Sequence, residues 1–193
     1  MPDKKRIFIS SVQKELELER AAVSVLIATD PFLMQHCSPI LFDREPPASR
    51  PASMPYLDML RECSVYMLLI GNEYGRPDGG YSATHHEYRL AQELELPTII
   101  FFKGMNDEGR SPETRAFIDE IKKAGHTYKR FHDREDLKPE MLRTLLRTLA
   151  EQFGIQATGA EITESENLIE AASSFETAML LDVPARQLDE NLL

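Results

Sequence analysis

The chain has 193 residues, a formal charge of -10 and a pI near 5.0, with 42% hydrophobic and 28% charged residues. This suits one compact domain with some added length, and the acidity argues against direct nucleic-acid binding, which needs a basic face for phosphate. Cys37 and Cys63 cannot make a four-ligand zinc site and predict buried thiols instead. No apolar run approaches the roughly 20 residues of a membrane span. With no signal peptide ahead of the first strand, a cytoplasmic domain without membrane contact is expected.

Arg6–Ser10 reads as a first strand, short, β-branched and aromatic. Ser11 is positioned to cap a helix over residues 12–28, where Leu16, Val25 and Leu26 recur at helical spacing. Pro39–Asp43 reads as the second strand. It opens into a loop whose prolines, Pro46, Pro47, Pro51 and Pro55, forbid a regular element. A short helix over Tyr56–Glu62 leads to Val65–Ile70, a continuous apolar run that fits a central parallel strand covered on both faces. A helix over 83–95, a strand at Thr98–Phe102 and a Ser-Pro-Glu helix start at Ser111 follow. A short edge strand at Thr127–Phe131 and a helix over Glu140–Phe153 complete the pattern. Strand and helix alternate throughout, which predicts an α/β, three-layer fold with a five-stranded parallel sheet of order 2-1-3-4-5. The domain is expected to span residues 1–154. Residues 155–193 are acidic, with Arg186 their one basic residue, and read as a weakly specified C-terminal arm or the start of a following domain.

The chemistry concentrates in Gly71–Ala91, GNEYGRPDGGYSATHHEYRLA, at the end of the third strand. In open α/β sheets such strand ends form the ligand crevice. Glu87 is either a carboxylate turned into that crevice or a solvent-facing helix residue. Tyr74 can stack on a base or anchor its loop. His85 and His86 are adjacent on a helix, so only one can face the crevice, and their spacing with Glu87 is not that of a zinc motif; no metal is expected. Ser10 and Ser11 can hold phosphate through backbone amides or act as a simple cap. Asn72, Arg44 and Arg76 are candidate ligand contacts, and Asp43 ends the strand where such folds often meet a ribose hydroxyl. Neither a phosphate-binding P-loop nor the dinucleotide glycine fingerprint is present.

Phe8-Ile9-Ser10-Ser11-Val12-Gln13-Lys14-Glu15-Leu16, Tyr56-Leu57 with Cys63-Ser64-Val65-Tyr66, Gly71-Asn72-Glu73-Tyr74-Gly75, Ser82-Ala83-Thr84 and Glu87-Tyr88 together resemble a bacterial domain family with no assigned reaction. Its members look like distant TIR domains, usually N-terminal to NTPase, helicase-like or defence-associated modules. The resemblance covers residues 5 to about 150. More loosely, the layout is similar to NAD-cleaving TIR domains and to nucleoside deoxyribosyltransferases, which carry a catalytic glutamate on the helix after the third strand; Glu87 holds the matching place. The chain departs from the TIR pattern in its proline-rich residues 44–55 and in having no tryptophan.

The resemblance implies a nucleotide-binding module of a larger protein, with NAD or a related nucleotide as substrate or ligand and no required cofactor. One reading is an N-glycosidase with Glu87 catalytic and Ser10, Ser11, Asp43, Arg44, Asn72, Tyr74, Arg76 and His85 binding ligand. Another is a non-catalytic sensing or interaction module that self-associates. A third is the N-terminal part of a protein with an ATP-dependent DNA helicase motor, which would lie beyond Leu193 because no motor motif is present.

Overall fold

The computed structural model describes residues 3–42 and 55–181. The expected residues Asp43 and Arg44, and the proline-rich loop as far as residue 54, lie outside the described residues. In chain order the elements are β1 (Lys5–Ser10), α1 (Glu17–Thr29), α2 (Leu33–His36), β2 (Cys37–Ile40), α3 (Pro55–Arg61), β3 (Val65–Ile70), β4 (Pro77–Asp78), β5 (Tyr81–Ser82), α4 (Ala83–Glu93), β6 (Thr98–Lys103), α5 (Pro112–Lys123), β7 (Lys129–Phe131), α6 (Arg134–Phe153) and α7 (Gly159–Leu181).

The main sheet runs β2-β1-β3-β6-β7, with every neighbouring pair parallel. Counting its strands alone, this is the order 2-1-3-4-5. β3 is central, and all six of its residues are buried. Alternation along the strands sorts the core into two layers. Ile7, Ile9, Val65, Met67 and Leu69 face Leu16, Val23 and Ile27 near and on α1, and Leu142, Leu145 and Leu149 of α6. Phe8, Tyr66, Leu68 and Ile70 face Leu60 of α3, Tyr88 of α4 and Phe117 of α5. Ser10 continues the Phe8 face, so β1 delivers its last side chain toward α4.

Several boundaries differ from the sequence expectation. Helix α1 starts at Glu17, not at residue 12, and its N-cap position, Leu16, makes no side-chain cap. Ser11 therefore does not cap a helix; its hydroxyl is buried without a hydrogen-bond partner among the described residues. β2 lies at Cys37–Ile40 instead of Pro39–Asp43, because the unanticipated α2 turn brings the chain into register earlier, pairing Lys5 with Cys37. Helix α6 starts at Arg134 rather than Glu140: Asp133 accepts from the amides of Glu135 and Asp136, and Pro139 is carried inside the helix.

The acidic C-terminal segment forms a continuous helix, α7, from Gly159 to Leu181. Ile155 and Ala157 pack against the α1/α6 side of the core, which also includes Ile169. Ser165 is buried, and Ser173 donates to Glu135 of α6. Among the described residues no helix is long and apolar enough to cross a membrane.

Candidate functional site

The β3–α4 connection folds into a two-stranded antiparallel hairpin, β4–β5, ahead of Ser82. Ser82 sits in an extended conformation and accepts from the His85 amide, which starts α4. That start sets the rotation of α4. Thr84, Glu87 and Tyr88 turn inward, and His85, about 200° around the helix from Glu87, turns toward α5.

Glu87 is 7% exposed and accepts a hydrogen bond from Ser10 at the end of β1. Burial raises its pKa from 4.5 to about 7, while the Ser10 hydrogen bond and the Arg20 guanidinium pull in the opposite direction. Tyr66 of β3 lies close enough for the Glu87 charge to reinforce the effect of burial on its hydroxyl, which is held well above the usual tyrosine range. Ser10, Arg20, Tyr66 and Glu87 thus form a buried polar cluster around the C-terminal end of β1. A carboxylate near half-ionisation at neutral pH can act as a base, as a nucleophile, or as a counter-charge to a developing cation.

His85 and Tyr74 belong to a different cluster. The Tyr74 hydroxyl lies 2.6 Å from His85 Nδ1, and His85 Nε2 lies 3.1 Å from Glu120 of α5. Burial keeps the His85 pKa low despite the opposing pull of Glu120. Glu120 is buried in part, but hydrogen bonds from Arg89 and His85 hold it below its usual range. Arg89 Nε donates both to His85 Nε2, at 3.3 Å, and to Glu120, so the imidazole is held between the Tyr74 hydroxyl on Nδ1 and the Arg89–Glu120 pair on Nε2. The His85 ring stacks on Phe117 at 4.1 Å, and Arg89 lies over Tyr81 at 4.0 Å. This cluster pins the hairpin onto α4 and α5.

The remaining candidates fall elsewhere. Asn72 is exposed and engages its surroundings through its backbone: its amide donates to Glu15, and its carbonyl accepts from the Ser111 amide and the Thr114 hydroxyl. Arg76 is exposed beside the hairpin. The structure therefore brings Ser10 to Glu87, and places Tyr74 with His85 on another side of α4.

Four residues around these clusters were not among the expected site residues: Glu15, Arg20, Tyr66 and Arg110. The Arg110 side chain is fully buried. It donates to the carbonyls of Ile70, Gly71 and Lys103, and to Asp107, and so binds the ends of β3 and β6 together. Arg20 carried a sequence signal, since it shares the buried stripe of Leu16, Val23 and Ile27. Arg110 carried none. His132, Asp133 and Asp136 bring ligand atoms within 4.8 Å of one another, but all three are exposed and Asp133 is already the cap of α6.

A parallel sheet of this order, with a buried carboxylate on the helix beside β1 and β3, defines an open α/β domain. The chain belongs to the family described as a domain of unknown function, DUF4062, which matches residues 6–146. No curated protein matches the chain. Among solved structures it is similar to the TIR domains of the activated Roq1 resistosome directly recognising the pathogen effector XopQ. The identity is 10%, the match covers 88% of this chain and 99% of that one, and the TM-score is 0.40.

Proposed function

We propose that this domain is a nucleotide-binding module that cleaves the N-glycosidic bond of NAD or a related nucleotide, with Glu87 as the catalytic carboxylate. The observation that carries this reading is the buried Glu87, hydrogen-bonded to Ser10 at the end of β1, with its pKa raised to about 7. In such cleavage the bond from the anomeric carbon to the base nitrogen breaks, and its electron pair leaves with the base. The sugar carbon becomes cationic, and a Glu87 carboxylate oxygen either stabilises it or bonds to it until water displaces the sugar. Ser10 orients the carboxylate, and Arg20 favours its ionised form. A nicotinamide departs from NAD as a neutral base and needs no proton. That suits a cluster whose other members, a serine, a tyrosine of raised pKa and an arginine, are poor acids at neutral pH.

The test is incubation of the purified chain, and of a longer parent protein where one exists, with NAD, its phosphorylated relative and deoxynucleosides, measuring released base. Glu87→Gln should lose about a hundredfold or more in turnover while keeping ligand affinity. Unchanged turnover would remove Glu87 from catalysis. A second reading, a sensing module that self-associates without cleaving its ligand, is favoured by an exposed apolar surface at Leu18, Val25 and Leu168 of α1 and α7, 62%, 54% and 46% exposed. Ligand binding by the wild type without base release would select that reading. In either case a following NTPase or helicase-like domain remains part of the proposal for the parent chain.

A further inference from the structure

The amides of Asn72 and Glu73 both donate to one side chain, the Glu15 carboxylate, at 2.5 and 3.0 Å. Their direction is set from the opposite side. Arg110 holds the carbonyls of Ile70 and Gly71, and Ser111 and Thr114 hold that of Asn72. In a trans peptide the N–H points away from the carbonyl of the preceding residue. Tying the carbonyls of Gly71 and Asn72 toward α5 therefore turns the next two amides toward the β1–α1 connection. Gly71 completes the cradle, because a Cβ at that position would overlap the Glu15 carboxylate. Two convergent amides beside a missing side chain make a concave seat for an oxyanion. The seat lies at the ends of β1 and β3, where the direction of strand addition reverses. Val12, Glu73, Tyr74 and Thr84 line a small void beside it, and Glu87 lies one turn beyond Thr84 on the same face of α4.

We propose that the Asn72 and Glu73 amides are the subsite for a phosphate or pyrophosphate group, and that Glu15 occupies it as a built-in competitor until a ligand displaces it. This rests on the reading of the strand ends as a nucleotide site, and adds to it the ligand's anchoring group and a closed resting state. Glu15 belongs to the irregular segment after β1, so its displacement releases the stretch that follows Ser10. Ser11, whose buried hydroxyl has no hydrogen-bond partner among the described residues, lies in the same stretch. Glu15 is only partly buried, so its carboxylate returns to water easily, and the incoming phosphate takes over both amide hydrogen bonds.

The experiment is calorimetric titration of the whole chain with inorganic pyrophosphate. Glu15→Ala should bind it about tenfold or more tighter than the wild type, because the intramolecular acceptor is gone. Gly71→Ala should abolish that gain when combined with Glu15→Ala, since its methyl group fills the seat; Gly71 has no left-handed backbone angle, so alanine is accommodated there. The Asn72 and Glu73 amide resonances of the wild type should shift on saturation with pyrophosphate. Unmoved amides, or equal affinity with and without Glu15, would overturn the proposal and leave Glu15 as a structural tie. If Glu15→Ala does not melt cooperatively, the amide shifts of the wild type decide alone. Pyrophosphate bound at these amides with no base released from NAD keeps the subsite and removes the glycosidase. Base released at a rate and KM indifferent to Glu15 and Gly71 does the reverse.

Discussion

Glu87 shows how burial turns one side chain into a pH-dependent load on the fold. Its pKa in the folded chain, about 7, is above the ordinary 4.5, so the folded state holds this proton to higher pH than the unfolded state does. Stability from the group is complete below pH 4.5 and is lost as the pH rises through 7. Glu87→Gln, which cannot ionise but still accepts from Ser10, should therefore be more stable than the wild type at pH 8 by roughly 3 kcal/mol, and by about half of that near pH 5.5. Urea midpoints at the two pH values test this, and a pH-independent difference would refute it. Arg110 acts in the opposite sense, since its buried charge is matched by three carbonyls and Asp107. Arg110→Met keeps the stem but strands those acceptors, and should cost about 3 kcal/mol or more in chemical denaturation.

At the level of elements, the parallel strands were legible because burial on both faces writes them as continuous apolar runs, Val65–Ile70 above all. The helix starts were legible where a local cap decides them, as at Ser111, which accepts from Thr114. They were not legible where distant groups compete. Leu16, not Ser11, precedes α1, because Glu15 is drawn out to the amides of Asn72 and Glu73, residues far away in sequence. The expected helix began at Glu140, just past Pro139, yet α6 runs through that proline, held by the double cap at Asp133 and by burial of Leu137, Met141 and Leu142. The end of α6 is again local: Gly154 has φ of 67°, a left-handed angle that costs other residues about 1 kcal/mol. Gly154→Ala should lose about that much. Glu95 adopts the same kind of angle, 53°, after α4, and Glu95→Gly should lose nothing or gain slightly. Thermal melts should find Gly154→Ala lowered and Glu95→Gly unchanged or slightly raised.

At the scale of the molecule, the sheet and α7 form one packed body on the α1/α6 side. Ile169 is 8% exposed in the same core cluster as Leu142 and Leu149. Replacing it with aspartate places an unpaired charge there, and the cheapest relief is for α7 to leave. Ile169→Asp should bring hydrogen exchange over residues 163–172 to the rates of open chain, while the amides of Val65–Ile70 stay protected. Loss of protection in both regions at once would show instead that α7 and the sheet unfold as a single unit.

The sequence by itself determined the sheet and its order, and singled out the turn after β3 as the candidate site, because apolar runs, alternation and the glycine-rich turn are local patterns that the backbone obeys directly. It also placed Glu87 on the helix beside that turn. Only the tertiary structure decided which way each side chain points. The rotation of α4 sends Glu87 to Ser10 and His85 to Glu120, and the buried Arg110, together with Ser111 and Thr114, turns two backbone amides toward Glu15. These are contacts between residues distant in sequence. Their partners are chosen by packing and by the need to satisfy buried polar groups, and no local pattern in a single sequence records that choice.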